Sequence, residues 1–385
     1  MIRRVVHAVD RFLPRSETFI NTLVNGHRRF EASVVCRARE HEEEFPFPRV
    51  SVVGTRPSRL DPAWWVDAAT GRSRWRRLVE STLRELKPDV VHAHFGPVGC
   101  DYVDIAGALG IPIVTSLYGV DAAVLPYLRQ WRDHYARLFR GGDRFLAEGP
   151  EMRKKIIAAG APADRTIIQP IAINLDKYPR WSPDAAVTVL FAGRFVEKKG
   201  LCDAIAAFGR AHARLPQARM TIVGDGPDER DARALTSRLG LSDVVDFVGV
   251  KPHSDLIRRL AAATVLIHPS TTAVDGDSEG GAPTILLEAQ AVGTPIVSTR
   301  HADIPHVAPE GPGVYLRNER DVDALGHALV TAIENREPSS RAHVVARHAV
   351  ALAMARLESV YDELCGGGAV EAAAHGWPHE PASRW

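Results

Sequence analysis

Short β-branched runs alternate with helical patterns along this whole chain, and that rhythm restricts the fold more than any other feature. In the first half the runs read RRVVHAVD, ASVVCRA, DVVHAHF, IPIVTSLYG, DRFLAEG and RTIIQPI. In the second they read VTVLFAGRF, RMTIVGDG, VVDFVGV, TVLIHPS, TPIVSTR and GVYL. Runs of about four to eight such residues, separated by helices, are strands buried on both faces, because a parallel sheet carries crossover helices on either side. The pattern therefore predicts an α/β protein with two doubly wound parallel sheets. A length of 385 residues agrees, being too great for one ordinary core.

The seam falls in NLDKYPRWSPDAA, residues 174–186, which holds Pro179 and Pro183 and no periodicity. The predicted organisation is a Rossmann-like domain over 1–178, a linker over 179–186 and a second Rossmann-like domain over 187–350. A C-terminal helix over 351–365 is free to cross back to the first domain. Residues 366–385, GGGAVEAAAHGWPHEPASRW, read as a flexible tail. No run of about 18 apolar residues marks a membrane span. The opening MIRRVVHAVDRFL is basic and apolar but has no small-residue cleavage site, so it reads as a first strand. Cys36, Cys100, Cys202 and Cys365 lie far apart without a Cys-x-x-Cys pair, which points to a reducing cytoplasm and away from zinc. Residues 1–180 hold 28 Lys and Arg against 21 Asp and Glu, whereas the remainder holds 20 against 26. A basic half and an acidic half bear on the partners.

In such sheets ligands bind beyond the carboxyl ends of the strands, so the residues there are the ones to inspect. After VTVLFAG, which ends in Gly193, come Arg194, Lys198, Lys199 and Gly200. After RMTIVG comes DGP, with Gly224 and Gly226, and after VVDFVG comes Val250. After TVLIHPS comes GDSEGGAPTILLEAQAVGTPIV, residues 276–297. There Glu279, Gly280, Gly281, Ala282, Pro283 and Thr284 lead into a helix whose first turn suits Pro283 and whose end suits Gly293. Glu288 stands in that helix among apolar neighbours, facing solvent or a polar pocket. Cations, glycine turns and a helix N-terminus on one rim describe an anion site, most simply a diphosphate. GDGP lacks the third glycine of a dinucleotide fingerprint, which argues against a nicotinamide dehydrogenase.

Taken in order, FAGRFVEKKG, IVGDGP, FVG, HPS and EGGAPTILLEAQAVGTPIV resemble the retaining GT-B glycosyltransferases of family 4. In the first half SETFI (16–20), HAHFG (92–96) and YGVD (118–121) are similar to the exopolysaccharide branch, including the colanic-acid type. The resemblance implies two Rossmann-like domains facing a central cleft, and a sugar moved from a nucleotide-diphosphate sugar to an acceptor hydroxyl with retention. It implies that Arg194 and Lys199 neutralise the diphosphate, that Glu288 holds the ribose hydroxyls, and that Glu279 with the Gly280 and Gly281 amides cradles the sugar. It implies no cofactor and no metal, since the two cations replace one, and no nucleic-acid partner. The acceptor is a glycan, a lipid-linked chain or a small metabolite, held by the first domain.

Three features depart from the family. Eight residues separate Glu279 from Glu288, where the family has seven. Tyr118-Gly119 stands where the family often has His-Gly. RFLPRSETFI replaces the glycine-rich loop after the first strand, so Arg15 or Ser16 is expected to touch donor or acceptor. Further cleft candidates are Glu17, Tyr118, Asp121, Glu148, His94, His301 and Asp303. Asp121 is equally a helix cap. His92 and His94 share one strand face; His92 reads as core, and no carboxylate or cysteine nearby completes a metal set. Trp64 and Trp65 are core or an acceptor platform. The segment 127–144, rich in Arg and aromatics, is either a solvated face or a contact with an anionic membrane surface. Rival readings are an epimerase or phosphorylase on the same fold, and a catalytically silent sugar-nucleotide-binding subunit.

Overall fold

The computed structural model describes residues 2–14, 17–54 and 73–366. Arg15, Ser16, Trp64, Trp65 and the tail from 367 lie outside the described residues. The first sheet contains β1 (Arg3–Phe12), β2 (Phe30–Arg39), β3 (Val50–Val52), β4 (Val90–His94), β5 (Ile113–Ser116), β6 (Arg144–Ala147) and β7 (Thr166–Ile168). Their order is β3-β2-β1-β4-β5-β6-β7. The second contains β8 (Thr188–Ala192), β9 (Arg219–Val223), β10 (Val245–Gly249), β11 (Val265–His268), β12 (Ile296–Thr299) and β13 (Val314–Arg317), ordered β10-β9-β8-β11-β12-β13. Every pairing is parallel. Each apolar run of the sequence became a strand. The one strand the pattern did not announce, β3, is a three-residue edge strand with no buried residue.

Strand order reverses between β1 and β4, and between β8 and β11. At such a switch point the loops part in opposite directions and leave a crevice. The ends of β4 and β11 are therefore where His94 and the HPS turn must lie.

Two segments tie the lobes together. The linker lies along the second lobe: Trp181 N–H donates to Val292 O at 3.0 Å, and Trp181 Nε1 donates to Ala263 O at 2.7 Å. The C-terminal helix, Val350–Leu364, returns to the first lobe. Its Tyr361 hydroxyl meets His92 Nδ1 at 2.5 Å, and its Glu358 Oε1 accepts from the Arg28 and Arg29 amides at 2.8 and 3.0 Å. One apolar cluster runs from Val5 and Leu23 through Met354, Leu357 and Tyr178 to Leu286. The helix thus shares the first lobe's core. Leu357 is fully buried there, so Leu357→Ala is expected to cost about 2–5 kcal/mol, read as a lower midpoint in thermal unfolding.

Candidate active site

The turn after β8 and the turn after β9 are interlocked. Phe195 N–H donates to Asp225 O at 2.6 Å, and Asp228 N–H donates to Phe195 O at 3.1 Å. A Cβ on Gly224, whose φ is +135°, would lie 1.9 Å from Gly193 O, and one on Gly226 would lie 2.5 Å from Phe195 O. These glycines are required by the fit of one turn against the other, whatever ligand sits above. Arg194 projects from the interlock as an exposed residue, and among the described residues its guanidinium has no hydrogen bond or ion pair. Glu17 of the first lobe feels its charge. Burial, with Asp10 and Glu40 adding, pushes the Glu17 carboxyl up to about 7, against the pull of Arg194.

The two lysines of EKKG point different ways. Lys198 is buried and donates to Asp277 Oδ1 at 3.0 Å and Ser278 O at 3.1 Å, which fixes the loop before Glu279. Lys199 Nζ lies 2.7 Å from Glu279 Oε1 and 2.9 Å from Oε2. Ser270 Oγ donates to the same carboxylate at 3.0 Å, and the Glu279 amide donates to His301 Nε2 at 3.1 Å. Burial alone would raise the Glu279 carboxyl, but Lys199 above all holds it at about 2. Beside this pair His268 is buried, and neither ring nitrogen has a partner among the described residues. Burial, helped by Lys199, lowers its pKa to about 3, so the ring is neutral.

Glu288 lies in the helix Thr284–Val292, with Pro283 at its N-cap rather than inside the first turn. The side chain is buried in a polar pocket. Oε1 accepts from His253 Nε2 at 2.7 Å and from the Tyr178 hydroxyl at 3.2 Å. Burial acts to lower the His253 pKa, yet the bond to Glu288 outweighs it and the net shift is upward. Thr284 lines this pocket as well, and Val250 stands exposed at the end of β10.

Gly280 and Gly281 also answer to packing. A Cβ on Gly280 would lie 2.5 Å from Gly119 Cα, and one on Gly281 would lie 2.2 Å from Glu148 Oε2. Here the missing side chains admit the opposite lobe. Asp303 reinforces that contact. Its carboxylate accepts from the Glu151 and Met152 amides at 2.8 and 3.0 Å, capping the first-lobe helix Pro150–Ala158. Lys155 Nζ reaches Ser278 Oγ at 2.9 Å across the same seam. Glu148 sits at this junction. Burial, then Asp303, Asp121 and Glu279, push its carboxyl well above the usual range, against the pull of Lys199.

Two first-lobe expectations also change. Asp121 is buried, and its oxygens take the amides of Gly96 (2.9 Å), Tyr118 (3.1 Å) and Gly119 (2.7 Å). It shapes the Tyr118–Gly119 turn and is buried away from the cleft surface. His94 is fully buried, with Nδ1 2.7 Å from the Tyr118 hydroxyl and Nε2 2.9 Å from His7 Nδ1. It reaches the cleft only through Tyr118. His92 is a core residue, bonded to Tyr361 and to Ser116 Oγ at 2.7 Å. The nitrogens of His7, His92 and His94 come within 4.8 Å of one another. Sequence reasoning passed over His7, Tyr178, His253, His268 and Ser270. Only the last two carried a signal, since HPS directly follows a switch-point strand.

The comparisons with known proteins bear on the family and the fold. The family model described as Glycosyltransferase Family 4 matches residues 16–177, and that described as Glycosyl transferases group 1 matches residues 180–348. The chain belongs to the GT-B glycosyltransferases of family 4. It is 34% identical over 246 residues to WcaL of Salmonella typhimurium, named as a colanic acid biosynthesis glycosyltransferase, covering 63% of this chain and 60% of that one. It is 31% identical over 258 residues to the amylovoran biosynthesis glycosyltransferase AmsK of Erwinia amylovora, covering 66% and 63%. The chain thus spans under two thirds of the length of these relatives. Crystal structures of Anabaena Alr3699/HepE share the fold: the complex with UDP and glucose superposes with a TM-score of 0.78 at 19% identity, covering 94% of this chain and 100% of that one.

The Glu17 carboxyl gives this site a pH signature. Its folded pKa of about 7 lies above the ordinary 4.5, so the folded state holds a proton that the unfolded chain has released between those values. Stability contributed by that proton falls as pH rises through the window. Glu17→Gln is expected to remove the fall: the melting-temperature difference between variant and wild type should widen in the variant's favour from pH 5 to pH 8. A constant difference would contradict the assignment.

Proposed function

We propose that this chain transfers a sugar from a nucleotide-diphosphate sugar to an acceptor hydroxyl with retention of anomeric configuration, in the assembly of a polysaccharide or glycoconjugate. One observation carries the reading. At the switch-point crevice of the second lobe, an unpaired Arg194, the Lys199–Glu279 pair and an orphaned neutral His268 converge. A diphosphate entering there takes Lys199 as its counterion, and Glu279 is released to accept from the sugar hydroxyls. Glu288 Oε2, without a hydrogen bond among the described residues, is placed to accept from a ribose hydroxyl, while His253 and Tyr178 hold its other oxygen. As the sugar–phosphate bond breaks, charge grows on the diphosphate, which Arg194 and Lys199 would neutralise. Such preorganised cations lower the barrier because they are stronger in the transition state than in the ground state. The shared fold of the UDP- and UDP-glucose-bound HepE structures, and the names of the WcaL and AmsK relatives, support the donor class and the pathway type.

Arg194→Ala and Lys199→Ala are each expected to lower kcat/KM for transfer from UDP-glucose or the active donor about a hundredfold, equal to about 2.7 kcal/mol. Far-UV circular dichroism should be unchanged. Activity within threefold of wild type would remove both residues from the diphosphate site.

A lipid-linked acceptor is favoured by a specific surface. The helix Arg129–Gly141 turns Tyr135, Leu138 and Phe139 inward, so two of the aromatics expected to meet a membrane are core and Trp131 is half-buried. Its N-terminal approach does offer one: Val120, Tyr127 and Leu128 are exposed, next to exposed Arg129 and Arg132. Each basic residue at an anionic bilayer contributes about 1 kcal/mol. Charge reversal at Arg129 and Arg132 is expected to abolish low-salt co-sedimentation with phosphatidylserine vesicles. A wild-type protein left in the supernatant, active on a water-soluble acceptor, would favour the small-metabolite reading.

A further inference from the structure

Three histidines join the cleft to a buried His27–Glu358 contact at the hinge in one line of hydrogen bonds. Glu358 Oε1 lies 3.2 Å from His27 Nδ1, and His27 Nε2 lies 2.9 Å from His7 Nε2. His7 Nδ1 lies 2.9 Å from His94 Nε2, and His94 Nδ1 lies 2.7 Å from the Tyr118 hydroxyl. Each ring nitrogen faces one partner, so each bond needs one proton and no more. At one end Tyr118 is half-buried at the cleft, with Glu148, Asp121 and Glu17 around it. At the other end His27 lines an open pocket with Asn21, Asn25, Asn174 and Lys177.

Only two proton arrangements fit this line. Burial keeps His7 and His94 neutral, with His94 lowered to about 3 and His7 lowered well below its ordinary value. Burial would raise the Glu358 carboxyl, but bonds from His27 and from Arg28 and Arg29 hold it at about 2, so it only accepts. His27 Nδ1 therefore carries a proton. With His27 neutral, His7 donates from Nε2, His94 donates from Nε2, and Tyr118 donates to His94. The phenol's one proton is then committed inward, and its oxygen can only accept from a ligand. With His27 doubly protonated every bond reverses, and the Tyr118 O–H is released to donate.

We propose that His27, His7 and His94 form a proton relay whose two settings decide whether Tyr118 accepts from or donates to a hydroxyl in the cleft. No ring rotation is needed. A proton given up by a cleft hydroxyl or water to the Tyr118 oxygen lets Tyr118, His94 and His7 each pass one outward across its bond. His27 ends as an imidazolium beside the Glu358 carboxylate, and Tyr118 keeps one proton throughout. The three histidines are positioning residues, acting through Tyr118. The charged groups facing His27 are Glu358, Arg28 and Arg29, with Asp362 on Arg29 and Lys177 across the pocket; His92 stacks beside His7 and His94. The proposal rests on the transferase reading only in supplying a hydroxyl-bearing ligand to the cleft.

Long-range ¹H–¹⁵N spectra of the full chain labelled in histidine test it without substrate, so the result stands apart from whether UDP-glucose is turned over. At the alkaline end of the stable range His7 and His94 should both be Nε2–H tautomers. On acidification both should convert to Nδ1–H, still neutral, in step with His27 gaining its second proton. Glu358→Gln keeps an oxygen for the Arg28 and Arg29 amides but removes the charge, and should move the conversion at least one pH unit lower. Four results would overturn the relay: an Nδ1–H His94 at alkaline pH, imidazolium forms of His7 or His94, an unmoved midpoint in a folded Glu358→Gln variant, or stoichiometric bound zinc that locks the tautomers.

Discussion

The buried pair between Lys199 and Glu279 organises the second lobe's working end. It joins the turn after β8 to the loop before the helix Thr284–Val292, and Ser270 at the end of β11 bonds the same carboxylate. Two charges out of water cost several kcal/mol each, and their attraction repays this only when the remaining lone pairs are also satisfied. Glu279 meets that condition through Ser270, and its amide is held by His301, which is itself held by Glu319 at 2.7 Å. Such a pair is weak evidence for stability and better evidence for a poised site. An incoming anion can draw on Lys199 while Ser270 keeps its bond to Glu279.

The pair stands at the seam where the lobes touch. Asp303 caps a first-lobe helix from the second lobe, and Gly280 and Gly281 let Gly119 and Glu148 close in. The loop that would hold a sugar is thus braced by the lobe that would hold its acceptor. The C-terminal helix Val350–Leu364 closes the circuit at the hinge, with Glu358 and Tyr361 bonded to first-lobe groups. The seam contacts and the helix docking at the hinge join the same pair of sheets.

Much of this could be read in the sequence, because sheets buried on both faces write themselves as continuous apolar runs. β3 could not, since three residues at a sheet edge, none of them buried, leave no pattern. Arg194, Lys199, Glu279 and Glu288 were visible because they follow strands that end at one rim. The meaning of the glycines was not. Gly224 and Gly226 serve the interlocked turns, and Gly280 and Gly281 serve the lobe seam, and both contacts join residues far apart in sequence. The same distance hid the histidine line: His7 and His94 lie 87 residues apart, and His27 and Glu358 lie 331 apart. His94 looked like a cleft residue from its place at a strand tip, while packing put it one layer beneath Tyr118.

The central claim is that Arg194 and Lys199 form a diphosphate site that works without a metal ion. Calorimetric titration with UDP in the presence of EDTA tests it most directly, since it needs no knowledge of sugar or acceptor. The account predicts saturable one-to-one binding in EDTA that weakens at least tenfold, about 1.4 kcal/mol, in Lys199→Ala. Binding of UDP that appears only when Mg²⁺ or Mn²⁺ is added, or that is equally tight in the variant, would contradict it.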